Sequence, residues 1–222
     1  VESLAAIPHP AAQKALEQHA ATEKNPAILS SVMRSWGARP GEETIVKALH
    51  DLVDSEATKH EVFAAVVAAF RAQDEARAVP WVLERLKATS LQFDTFEYAE
   101  ALDAVAFLSR QKDSPTRDLV RPFLIQHLTH PKQDLRTAAA RALGTLRDPK
   151  ALAVLAPMIT GGGPFSDPVR EAAAKSVQAL QIELAGPGEL KNLWDQVQNL
   201  QKKTEDLQKQ LDQSKKKTDA KK

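Results

Sequence analysis

LRTAAARALGTLRDPKALAVLAPMI, residues 135–159, is the stretch from which the rest of the chain is read. Its first half places Ala139, Ala142, Leu143 and Leu146 at the three- and four-residue steps of one helix face. Asp134 stands just ahead as an N-cap whose carboxylate accepts from the free amides of the first turn. The Arg147-Asp148-Pro149 turn ends this helix, and Leu152, Leu155, Ala156 and Ile159 begin the pattern again. Isolated helices shorter than roughly 12–15 residues are marginal in water, and neither of these exceeds that length. Each has one apolar stripe, so the pair must bury its stripes against other pairs of the same kind.

The sequence supplies those pairs. Taking the last apolar residue of each first helix as a register mark gives Ile7, Trp36, Phe70, Leu108, Leu146 and Leu180, separated by 29, 34, 38, 38 and 34 residues. Periods of this size signal stacked supersecondary units. A second apolar helix follows each of the first five marks, predicted over Pro10 to His19, Thr44 to Val53, Val79 to Lys87, Leu119 to Leu128 and Ala151 to Ile159. Pro26, Pro40-Gly41, Asp94, Asp134 and Asp167-Pro168 fall where helices begin or chains turn. Pro80 and Pro122 read as lying near helix starts, where the missing amide is harmless, whereas Pro157 comes late enough to kink or end its helix.

Asp134-Leu-Arg136 with AAARALGTLRDP, and Asp167-Pro-Val-Arg170 with EAAAKSVQAL, resemble HEAT repeats of the phycobilisome-lyase type. The earlier repeats match more loosely. The resemblance implies an all-α fold, a right-handed α-solenoid of about five helical hairpins with a long C-terminal helix. First helices would form the convex layer and second helices the concave one, leaving an extended concave surface for partners.

SLAAIPHPAA at the N-terminus tracks ALGTLRDPKA, so residues 1–182 read as a solenoid that starts inside a repeat, as in a fragment of a longer chain. Residues 183–188 read as a linker. Leu190, Leu193, Val197, Leu200, Thr204, Leu207 and Leu211 then form a heptad seam, interrupted by Thr204 and flanked by Gln196, Gln201, Gln208 and Gln210. Residues 189–214 are expected to cap the solenoid, Trp194 covering its end, or to pair as a coiled coil in a weak homodimer. Residues 215–222 read as a disordered basic tail.

Composition bounds the rest. An apolar fraction of 43% with only 5% aromatics and eight glycines suits a helical globular chain. Without cysteine there is neither a disulfide framework nor a thiolate metal site, and the compartment stays open between cytoplasmic and exported. Net charge is +1; residues 189–222 hold nine Lys against six Asp and Glu, leaving 21 basic against 23 acidic residues ahead of them. That is not the basic footprint of a nucleic-acid binder. No run of 18 apolar residues is present to span a membrane.

The polar residues carry no complete catalytic or metal-binding pattern. His60-Glu61 opens like a zinc-protease helix motif, but Ala64 stands where the second His is needed. His127 and His130 are three apart at a helix end, without a third ligand nearby, and read as a pair favoured by the helix dipole. Gly161-Gly162-Gly163 lacks the Gly-Lys-Ser/Thr of a phosphate loop, and Pro164 removes an amide. Glu42 and Glu43 lead a helix, where the dipole favours them. The expectation is a chain with no catalytic residue, no cofactor and no metal of its own.

What remains is a binding face. If the second helices line the concave side, the residues between their apolar stripes are Lys47, His50, Trp81, Glu84, Arg85 and Arg121, whose mixed signs suit a protein or peptide partner better than a polyanion. Trp36 reads as core, and Trp81 as either core or an aromatic anchor. The leading expectation is a non-catalytic interaction or scaffold module. DPVREAAAKSVQALQ followed by ELKNLWDQVQNLQ, within residues 167–214, also looks similar to the HEAT-like end of bacterial gluzincin zinc aminopeptidases. That likeness implies an accessory C-terminal domain, whose partner is a catalytic domain in the same parent chain. HEAT-like nucleic-acid-binding glycosylases are a third class, disfavoured because Lys47 with Asp51 and Arg85 with Glu84 mix signs on the expected inner layer. A bilin lyase would follow from the family name alone and finds no pocket residue to support it.

Overall fold

The computed structural model describes residues 7, 9–54, 60–89, 94–160, 167–184 and 203–204. Residues 1–180 form one compact unit and residues 181–222 a second. Ten α-helices are present among the described residues: α1 Pro10–Thr22, α2 Pro26–Gly37, α3 Glu43–Asp54, α4 His60–Gln73, α5 Val79–Thr89, α6 Thr95–Leu108, α7 Arg117–His127, α8 Gln133–Thr145, α9 Leu152–Thr160 and α10 Asp167–Leu184. No strand occurs among them. Within the first unit α2, α4, α6 and α8 pack one upon the next, and α3 packs on α5 beside them. Each second helix leans on the following first helix, α3 on α4, α5 on α6 and α7 on α8. The chain is therefore an α-solenoid of helical hairpins.

The register marks become the spine of the core. Trp36, Phe70, Leu108, Leu146 and Leu180 are each 2% exposed or less. Burying a side chain of this size contributes roughly 1.5–3 kcal/mol, which neither helix of an isolated hairpin obtains. Ile7 departs from the set: it is 46% exposed and sits in the turn before α1, its carbonyl accepting from the His9 amide at 2.8 Å and from Arg39 at 3.2 Å.

Local chemistry sets the helix ends. Asn25 and Asp94 accept from the amides of Ala27 (3.0 Å) and Phe96 (2.6 Å), opening α2 and α6. Asp134 does not act this way. Helix α8 begins two residues earlier than expected, Lys132 holds the cap position without a side-chain bond, and Asp134 lies in the first turn, where its charge faces the helix dipole. Pro122 is the sixth residue of α7 and so lies inside the helix, not at its start. Pro157 also lies inside its helix, which continues to Thr160 before ending. The α9 stripe rotates as well: Ala151, Leu155 and Met158 are buried and Ala156 is exposed, because a 3₁₀ turn at Pro149–Ala151 precedes the α-helix and resets the phase.

That turn recurs 73 residues apart. Asp74 (φ 55°) and Arg147 (φ 54°) both adopt the left-handed conformation just past a first helix. The next residue is an acid that caps a 3₁₀ turn: Glu75 accepts from the Arg77 amide at 3.1 Å, and Asp148 accepts from the Lys150 amide at 3.0 Å. A second helix follows each time. Left-handed geometry costs a non-glycine residue roughly 1–2 kcal/mol. Contacts from neighbouring turns offset it: Arg110 grips Asp74 through two bonds of 2.7 Å, and Arg117 donates to the Arg147 carbonyl at 2.9 Å.

Small residues bring the first helices together. A Cβ placed on Gly144 of α8 would lie 2.5 Å from Ser176 Oγ, 2.8 Å from its Cβ and 3.0 Å from its Cα on α10. The same serine donates to the Ala140 carbonyl at 2.8 Å. Alanine at a helix interior normally gains about 1 kcal/mol over glycine. Gly144→Ala is expected to lose stability instead, by roughly 1–3 kcal/mol as an overpacking change. Urea unfolding of the two proteins side by side checks the sign.

Candidate functional site

The second-helix layer places Glu43, Thr44, Val46, Lys47 and His50 along one face of α3, at helical steps of three and four, beside Trp81 on α5. Together they line a hollow of about 310 Å³. Val46 is buried at its floor, Trp81 and His50 are half-buried, and Lys47 is exposed at the rim. The His50 ring meets Trp81 edge-on, with centroids 4.0 Å apart and an interplanar angle of 62°. Trp81 leans in turn on Phe70 of the core at 6.1 Å. Its indole is thus held by the core on one side and open to the hollow on the other, which is the geometry of an aromatic anchor.

Three of the six expected binding residues, Lys47, His50 and Trp81, meet here. Glu84 and Arg85 lie one turn further along α5, exposed and half-buried respectively, and do not line the hollow. Arg121 is engaged elsewhere. It pairs with Asp148, whose carboxylate is buried at 4% exposure in the α8–α9 turn, and with Asp118 at 2.6 Å. Its charge ties two repeats together, as the buried carboxylate requires. Glu43, Thr44 and Val46 were not among the expected binding residues, although their spacing from His50 along one helix face was a readable signal.

Trp36 is a core residue, 1% exposed, and its carbonyl accepts from Gln73 Nε2 at 2.8 Å. For His60 the structure describes only the backbone, at the start of α4. The glycine run at 161–163 and residues 189–202 and 205–222 lie outside the described residues. Residues 203 and 204 of the heptad stretch are helical and exposed.

The two candidate histidines at the end of α7 do not behave as a dipole-favoured pair. His127 Nδ1 lies 2.8 Å from the Phe123 carbonyl, which only accepts, so Nδ1 carries the proton. Nε2 then accepts from the Tyr98 hydroxyl at 2.9 Å. Both ring nitrogens are occupied. His130 stacks on this ring with centroids 6.0 Å apart, and its Nδ1 accepts from the Lys132 amide at 3.1 Å. Burial holds the His127 pKa below its ordinary value, outweighing the hydrogen bond to the Phe123 carbonyl, and burial also raises the Tyr98 hydroxyl to about 12. No group of three metal-ligating side chains occurs among the described residues.

Residues 97–178 and 121–199 match the family model for HEAT repeats. No curated protein matches the chain. No helix among the described residues is long and apolar enough to cross a membrane.

The depressed His127 pKa has a measurable sign. Below the ordinary value of 6.5 the unfolded chain takes up a proton that the folded chain resists. Stability from this group is whole above about pH 6.5 and declines as pH falls toward the folded pKa. Asp74 and Glu75, held below their usual ranges first of all by hydrogen bonds from Arg110 and Arg77, titrate at lower pH and leave this window clear. Urea melts at pH 7.5 and 5.5 are expected to show a smaller loss in His127→Gln, which retains an acceptor for Tyr98, than in the unmodified protein. The matched stretch begins within α6 and takes in α7 to α10, so over residues 97–199 this α-solenoid is similar to HEAT repeats.

Proposed function

We propose that the chain is a non-catalytic protein-interaction module and that the layer of second helices carries its binding face. The hollow on α3 and α5 carries this reading, because it sets a partly exposed tryptophan, backed by the core, beside a charged rim. HEAT repeats generally mediate protein interactions and are typically non-catalytic, which supports the same conclusion. The charges along the layer alternate in sign, Glu43 with Lys47 and Glu84 with Arg85, which favours a protein surface over a polyanion. A pull-down comparing the unmodified chain with Trp81→Ala and Arg85→Glu checks the face. The expected outcome is a specific partner retained by the first and lost from both variants at unchanged melting temperature. Retention by both variants would move the binding face elsewhere.

A second reading rests on the likeness of residues 167–214 to the HEAT-like end of gluzincin zinc aminopeptidases. On that reading the partner is a catalytic domain encoded in the same gene. The parent reading frame is then expected to encode His-Glu-x-x-His upstream of Val1, and a frame without it overturns the idea.

A further inference from the structure

One charge at the hollow on α3 and α5, that of Lys47, has no ion-pair partner among the described residues. Glu43 is 75% exposed at the side chain, yet both its oxygens are bound by Arg77, at 3.1 and 3.0 Å. Arg77 is itself held by Glu75, whose oxygens accept at 2.8 and 2.7 Å. This three-residue cluster is satisfied internally. His50 lies edge-on to Trp81, with Nδ1 3.6 Å from Asp51. Lys47, one turn along α3 from Glu43, forms no ion pair among the described residues. An i,i+4 Glu–Lys pair would ordinarily attract, but the Glu43 carboxylate is already taken by a guanidinium that fits it at two points. The rim therefore presents an ammonium without an ion pair among the described residues, above an apolar floor of Val46 and the Trp81 ring.

At about 310 Å³ the space lies at the small end of ligand pockets, which span roughly 300–1,000 Å³. It suits one large side chain and not a cofactor. Resting on the interaction-module reading above, we propose that the hollow is a docking site for an acidic segment of a protein partner, taking one aromatic or branched aliphatic side chain whose neighbouring Asp or Glu pairs with Lys47. The apolar side chain stacks on the free face of Trp81, and the carboxylate supplies the charge that Glu43 does not. A basic neighbour at that position meets Lys47 and is repelled.

The test uses the full chain and three capped tetrapeptides, acetyl-Gly-Phe-Glu-Gly-amide, acetyl-Gly-Phe-Lys-Gly-amide and acetyl-Gly-Ala-Glu-Gly-amide. The Trp81 indole N–H, assigned by its loss in Trp81→Phe, is followed by NMR during titration. The Phe-Glu peptide is expected to shift it and to bind about threefold more tightly than Phe-Lys, the size of a half-exposed ion pair. Ala-Glu should leave it nearly unmoved. Lys47→Glu should reverse the Glu-over-Lys preference, and Lys47→Gln should abolish it if the reversal variant unfolds. Equal binding of the two Phe peptides, or an indole signal that none of them moves, overturns the proposal. If that happens while Trp81→Ala still loses the partner in the pull-down, the interaction-module reading stands and the acidic-segment assignment falls. If the partner is retained as well, both fall.

Discussion

The close approach of neighbouring first helices is the constraint on which the rest of this structure depends. Gly37 of α2 and Gly144 of α8 both sit where an added Cβ would press on the next first helix, against Ala69 Cα at 3.1 Å and Ser176 at 2.5 Å. Alanines fill the same faces: Ala65 and Ala69 on α4, Ala101 and Ala104 on α6, Ala139, Ala140 and Ala142 on α8. With helices this near, the large residues that mark the repeat register are driven inward, which is why Trp36, Phe70, Leu108, Leu146 and Leu180 are nearly closed to solvent. The second helices must then lie beside this stack, and their outward faces become the surface on which α3 and α5 build the hollow.

Polar bonds between repeats set the stacking in register. Arg71 of α4 pairs with Asp103 of α6, and the other oxygen of Asp103 accepts from Thr145 of α8 at 2.8 Å, so one carboxylate ties three successive first helices. Along the turns, Arg39 reaches Gln13, Arg77 reaches Glu43, Arg110 reaches Asp74 and Arg121 reaches Asp148. Most of these pairs are partly exposed and each contributes little by itself. Asp148 differs, because its carboxylate is buried and would be left charged without Arg121. These four arginines thus belong to the stacking, and Trp81, held but open on one face, and Lys47 remain at the hollow.

The candidate site was half legible in the sequence. Lys47, His50 and Trp81 are polar or aromatic residues between apolar stripes, and they converge. Arg121 met the same criterion and is occupied by a buried acid 27 residues away, a partner that no local pattern reveals. His127 is the same case in another form: at a helix C-terminus the dipole favours its charged form, but burial of the ring, against which Tyr98 of another helix packs, lowers its pKa.

Periodicity alone determined the all-helical class, the hairpin unit and the register from Trp36 to Leu180, because an apolar stripe on a short helix has to be buried and equal spacing buries it against a copy of itself. It also located the five described second helices to within a few residues. The cap of α8, the rotated stripe of α9 and the interior position of Pro122 were decided by tertiary structure, since a 3₁₀ turn or two extra residues at a helix start cost little locally and are chosen by how neighbouring helices fit. The same holds for the charges. Which arginine binds a turn, and which lysine is left at the rim of the hollow, depends on carboxylates brought near from other repeats, and sequence distance carries no information about that.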